Sequence, residues 1–242
     1  LGVSLNEGLA PGTISSTPKQ PLAFNDSLQT AIQGHLQDMI DHDFFSHTGF
    51  NGSSFIQRVQ GAGYTSYITI GENLAFRATT GTPNVEQYVI DEHADLFIDS
   101  GITGRGHRVN MMNDNYKEAG AGERAGVYTS SGTNFNAVFT GNDFGAKAGD
   151  SFLTGVAITD LVNANNFYNV GEGLAGISVS VTDGVTVYNT TTNGGGGYQI
   201  QLPAGSYNVT FSGAGISSPV TKAFVIGTQN VKVDLNTRTD VP

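Results

Sequence analysis

The sequence predicts an α+β protein in two parts: a sheet with helices up to about residue 147, then a small all-β sandwich. Three observations lead there. Apolar residues recur at helical spacing only in the first part. Beyond it, short alternating segments follow one another, with a turn signal roughly every 8–12 residues. Charge divides unevenly as well: residues 1–150 carry 16 acids and 8 bases, and the rest carry 5 and 3. The stretch AKAGDSF, Ala146–Phe152, reads as a linker, giving domains 1–147 and 150–242.

The first helix is marked by Leu28, Ile32, Leu36, Met39 and Ile40, with Asn25, Asp26 or Ser27 as its cap. A second, short helix is expected from about Ser54 to Gln60. Ser54 and Gln57 have capping-box spacing, and Gly61 and Gly63 end it. Tyr67–Ile70 is strand-like and runs into Glu72. A third helix spans about Asn84–Ile98, with Val85, Tyr88, Val89, Leu96 and Phe97 inward. Asn134–Gly145 then reads as a strand, since Phe135, Ala137 and Phe139 alternate. In the second part GISVSV, PAGSYNVTFSG and TQNVKVDL read as strands, and VTVYNTTTNGGGGYQIQL as a hairpin turning at Asn193–Gly197.

Composition narrows the function. The net charge of −10 repels a phosphate backbone, which excludes nucleic acid as a partner. The chain has no cysteine, hence no disulfide and no thiolate metal site. No apolar run approaches the ~20 residues that span a bilayer. The opening LGVSLNEGLAPG has no leader pattern and reads as a point inside a longer protein. A Gly/Asn/Thr-rich, Lys-poor chain points to the outside of a cell.

The five histidines differ in setting. His35 shares a helix face with Ile32 and Met39 and reads as a core histidine. His42 near the helix end interacts with the helix dipole. His47 follows Phe44 and Phe45 and precedes the turn at Asn51-Gly52, so it is placed to face a cleft. Glu72, among Ile70, Leu74 and Phe76, needs a partner, and its alternative is a strand-end carboxylate accepting backbone N–H bonds. On the third helix Asp91 and Asp95 project away from the apolar stripe, whereas Glu92 and His93 fall on it or at its edge. Ionisable groups there are costly without partners, which indicates a polar cavity. His107, in GRGHRVNMM, sits between glycines and arginines and alone suggests an anion-binding turn. No GxSxG, HExxH or P-loop is present.

Together FFSHTGFNGSSFIQRVQGAGY, GENLAF, GRGHRVNMMNDNYKEAGAG and FTGNDFG resemble, in order and spacing, the bacterial branch of the CAP superfamily, whose module is the SCP domain. The resemblance covers about residues 1–146. It implies an α/β/α sandwich with a cleft of two histidines and two glutamates, sometimes holding a metal. Carried over, these are His47, Glu72 and His107, with Glu92 as the second glutamate or His93 in that slot. Residues 150–242 resemble the carboxypeptidase-regulatory, prealbumin-like type of β-sandwich, which implies a stalk or spacer.

The resulting expectation is a secreted or cell-surface protein whose cleft binds a small ligand, a glycan, a peptide or a divalent metal. One alternative is a metal-dependent hydrolase using His47, His107 and Glu72 with zinc or magnesium: imidazoles and a carboxylate suit zinc, and an open position would make it catalytic. The absence of an obvious nucleophile favours binding. Another alternative is an adhesin-like structural protein with a vestigial cleft. In the second part Asp160, Asn163, Asn165 and Glu172 form a candidate calcium loop, irregular beside an EF-hand. Its rival is an Asn-rich loop bonding its own backbone.

Overall fold

The computed structural model describes residues 2–149, 151–213 and 216–241. The chain forms two compact units: Leu1–Lys19 with Phe24–Ala148, and Gln20–Ala23 with Gly149–Pro242. Asp150, inside the expected linker, lies outside the described residues.

The first unit is built on a sheet of β1 (Ala23–Phe24), β2 (Tyr67–Thr79), β3 (Glu118–Ser130) and β4 (Thr133–Lys147), in the order β1-β3-β4-β2. β3 and β4 form a long antiparallel hairpin whose turn residues, Ser131 and Gly132, both have positive φ. That conformation matches the right-handed twist of the strands. β2 pairs antiparallel with β4 alone, so it is an edge strand.

Helix α1 (Asp26–Asp41) is capped by Asn25, whose side chain accepts from Ser27 N and Leu28 N. Leu28, Ile32, Leu36 and Met39 are fully buried. The helix lies directly on β3, because Gly120 has no side chain: a Cβ there would strike the helix backbone at Leu28–Gln29. Ile32, Leu36 and Met39 form one core cluster with Leu74, Ala137 and Phe139. Helix α2 (Phe55–Gly61) has the full capping box, with Ser54 and Gln57 bonded reciprocally. On the other sheet face lie α3 (Val85–Ile98), capped by Asn84, and α4 (Gly106–Met111). The result is the α/β/α layering that the resemblance implies. One detail differs. Of the expected inward stripe on α3 only Leu96 is buried, and Val85 is exposed. The other buried residue there is Glu92.

The second unit is all strand apart from α5 (Thr237–Asp240). One sheet has β6 (Ile177–Thr182), β7 (Val187–Thr191), β9 (Gly205–Gly213) and β10 (Val220–Ile226), in the order β10-β9-β6-β7. In the other, β5 (Phe152–Ile158) pairs antiparallel with β8 (Gly197–Gln201) and parallel with β11 (Val231–Lys232) and β12 (Leu235–Asn236). Inward residues of both sheets, among them Leu153, Val179, Val209 and Phe211, make one core. The expected hairpin of β7 and β8 is not one. The turn exists, closed by Asn193 N to Gly197 O at 2.9 Å. Its two arms, however, enter different sheets: β7 pairs with β6, and β8 with β5.

Candidate functional site

The site gathers around the open edge of β2. His42 caps α1, and the chain then anchors itself by Phe45, which packs on Phe76 with ring centroids 4.7 Å apart. His47 follows on a loop closed by Gly49 N to Ser53 O at 2.9 Å. Arg58 of α2 reaches back and donates to His47 O at 2.8 Å and to Glu72 Oε2 at 2.7 Å. The other oxygen of Glu72 meets His47 Nδ1 at 2.7 Å. Both oxygens of Glu72 are therefore engaged, and its side chain is only 2% exposed, whereas that of His47 is 58% exposed. With Nδ1 held by a carboxylate, the Nε2 of His47 is the ring nitrogen left to act.

Asp143 stands opposite Glu72 in the β2–β4 register. Burial, joined by the charge of Glu72, pushes the Asp143 carboxyl up to about 9. It is protonated at neutral pH, which keeps two adjacent carboxylates from both ionising.

The next residue, Asn73, points to the opposite sheet face because side chains alternate along a strand. It is fully buried and donates to His107 O at 3.0 Å. Asn110 donates to Asn73 Oδ1 at 3.0 Å. The dipeptide Glu72-Asn73 thus ties His47 on one face to the His107 backbone on the other. His107 is fixed further by Asp99, which ends α3 in the left-handed conformation. The Asp99 carboxylate accepts from His107 N at 2.9 Å and meets His107 Nδ1 at 2.8 Å. Arg108, wholly buried, donates to the carbonyls of Phe97, Ile98, Ser4, Leu5 and Glu7. That network holds the end of α3, the start of α4 and the N-terminal turn together.

A cavity of about 350 Å³ wraps the β2 edge, lined by Phe45, Leu74, Phe76, Leu96, Ile98 and Ile102 with Glu92, Asp95, Asp99 and His107. Glu92 is 1% exposed, and among the described residues neither of its carboxyl oxygens is in a well-formed hydrogen bond. Burial pushes it up to about 7, against the pull of the nearby Thr140 hydroxyl and Arg77 backbone N–H, which approach as hydrogen-bond donors, and of the Arg77 charge.

Of the candidate residues, Glu92 and His107 line this cavity together. His47 and Glu72 form a bonded pair beside it and do not line it. His93 is exposed and lines a separate groove with Gln29, Gln33 and Arg124. Among the described residues no group of three or more His, Asp or Glu is placed to hold a metal ion. In the second unit Asp160 is buried and bonded to Arg238, to Asn236 Nδ2 at 3.0 Å and to Asn166 N at 2.9 Å. Glu172 accepts from Val162 N at 2.7 Å and Asn169 N at 2.8 Å. Asn163 and Asn165 are exposed, and Asn165 accepts from Phe167 N. These carboxylates organise a loop through its backbone amides, and Arg238 pairs with Asp160.

The model of the cysteine-rich secretory protein family, CAP, matches residues 14–142. The chain belongs to this family. Its CAP domain has none of the cysteines of the family's name. Residues 168–238 match the carboxypeptidase regulatory-like domain. Among solved structures, the chain is similar to an extracellular protein containing an SCP domain from Bacillus anthracis str. Ames. The identity is 20% and the TM-score 0.38, over 53% of this chain and 35% of that one. It is also similar to an outer surface protein from Borrelia burgdorferi, at 16% identity and TM-score 0.37, over 53% of this chain and 80% of that one. The chain thus spans about a third of the length of the Bacillus protein. No curated protein matches it.

Arg58, Asn73, Asp99 and Asp143 were not among the residues singled out from the sequence. Asn73 had a signal, since it follows Glu72 and must face the other side of the same strand. Asp99 had a signal too, since it ends a helix, where the macrodipole disfavours an acid that has no partner. Arg58 and Asp143 become part of the site only through strand register and the seating of α2.

Proposed function

We propose that the CAP domain is a binding module whose cavity takes a small, mainly apolar ligand carrying a hydroxyl or amine donor. The observation that carries this is Glu92: a buried carboxyl in a wall of Phe45, Leu74, Phe76 and Ile98, with neither oxygen in a well-formed hydrogen bond among the described residues and with the Thr140 hydroxyl and Arg77 N–H as its nearby donors. Leaving such a group unsatisfied is costly. A ligand donor supplies the missing bond, and Asp95 and Asp99 in the same lining disfavour an anionic ligand. The family description as secretory and the Lys-poor composition support a place outside the cell or on its surface. In the described residues no helix is long and apolar enough to cross a membrane.

The test uses matched probes: phenethylamine and phenethyl alcohol against phenylpropionate. Methyl NMR of the full chain should show the first two, and not the third, shifting Leu74, Leu96 and Ile98. Preference for the carboxylate, or no shift with any probe, would refute the reading. The rival is a metal-dependent hydrolase on His47, His107 and Glu72. Each oxygen of Glu72 already accepts one hydrogen bond, from His47 or Arg58, which a metal ion would have to share or displace. Metal analysis of the purified protein and of His47→Ala separates the two: stoichiometric metal lost in the variant would favour the hydrolase.

A further inference from the structure

We propose that the second unit carries a binding site of its own, for a neutral oligosaccharide. The place is an open hollow of about 490 Å³ between the loop after β5 and the strands β10 to β12. Two aromatic side chains of that loop line it, Phe167 at 71% exposure and Tyr168 at 37%. The unit's core uses neither ring.

The backbone of the loop that carries these rings is pinned by buried carboxylates. Glu172 binds the backbone amides of Val162 and Asn169, and Asp160 binds that of Asn166. Asp160, Ala164 and Asn166 all take positive φ, and both carboxylates are fully buried. Left-handed backbone and buried acids are costly features, and here they serve a loop whose aromatics face solvent. Such pre-organisation lowers the entropy lost when a ligand is bound.

The remaining lining selects the chemical class. Lys222 pairs with Asp240 at 2.6 Å, and Lys232 pairs with Asp234. Two cations and two carboxylates cancel, so the hollow offers an ion of either sign no net attraction. It does offer many hydrogen-bonding groups beside two flat apolar faces. A neutral sugar ring matches that set, with C–H faces for the aromatics and hydroxyls for the polar side chains. Leu161 and Val170 are also exposed on the loop but do not line the hollow.

The experiment titrates the labelled full chain with maltotetraose, cellotetraose and the N-acetylglucosamine tetramer, with tetragalacturonate as the charged control. At least one neutral oligosaccharide should shift Phe167 and Tyr168 resonances at millimolar concentration. Phe167→Ala should weaken that binding by about tenfold or more, the scale of a lost aromatic contact with its buried area. Val170→Ala, off the hollow, should leave it unchanged. Because Phe167 is exposed, its variant should keep the wild-type melting temperature. No shift with any neutral oligosaccharide, preference for tetragalacturonate, or binding that survives Phe167→Ala would overturn the proposal. Glu92→Gln serves as the control for the CAP cavity, and sugar binding should not respond to it.

Discussion

Replacing Glu92 by glutamine should flatten part of the pH dependence of stability. Burial raises the Glu92 carboxyl to about 7 from an ordinary value of 4.5. Between those values the folded protein holds a proton that the unfolded chain has lost. Stability therefore falls as pH rises through this window, and the full penalty is present above pH 7. The size follows from the shift and is about 3 kcal/mol at most. Glutamine keeps the shape and cannot ionise, so the variant loses this contribution. Asp143, raised to about 9, acts in the same direction in both proteins and cancels from the comparison. Scanning calorimetry of wild type and variant at pH 5 and pH 8 reads the difference. The wild type should lose more stability than the variant between the two, by an amount approaching that limit. Equal losses would mean that Glu92 is ionised and satisfied when folded, and would refute the role assigned to its orphaned oxygens.

Arg58→Met should destabilise the CAP domain by roughly 3 kcal/mol, because the buried Glu72 carboxylate keeps its charge and loses its cation; urea unfolding checks this, and a loss below about 1 kcal/mol, the level of an exposed pair, would contradict it. Asp99→Ala removes the acceptor for His107 N and the partner of its Nδ1. Nitrogen NMR should then show the ring losing its preference for the Nδ1-protonated tautomer, and unchanged shifts would show that Asp99 does not set it. Millimolar calcium should leave the melting of the second unit unmoved, since Arg238 already neutralises Asp160 and backbone amides occupy Glu172; a rise in melting temperature would contradict that assignment.

Much of the fold was readable because local signals agreed with the tertiary result. Asn25 and Ser54 with Gln57 cap their helices where their spacing places them. The motif stretches supplied His47, Glu72 and His107, and helical phase supplied Glu92. Phase did not separate Glu92 from His93, because neighbouring helix positions differ by only about a quarter turn. The packing of α3 against the sheet buries Glu92 and leaves His93 exposed, a tertiary fact. The β7–β8 turn was readable from Asn193 and its glycines, but turn chemistry does not say which partner each arm takes. The link through Asn73 needed strand alternation together with the position of α4. That Arg238, distant in sequence, pairs with Asp160 of the candidate calcium loop was not legible from the loop's own spacing.

In the proposed function the Glu92 carboxyl is the polar anchor of an otherwise apolar ligand cavity. Its most direct test is the titration of the Glu92 carboxyl carbon by NMR, in the free protein and in the presence of saturating phenethylamine. An ammonium donor seated against Glu92 favours the charged form, so the midpoint should fall from about 7 toward the ordinary carboxylate range. A midpoint that stays at its free value while the probe is bound elsewhere, or a probe that does not bind, would contradict the account.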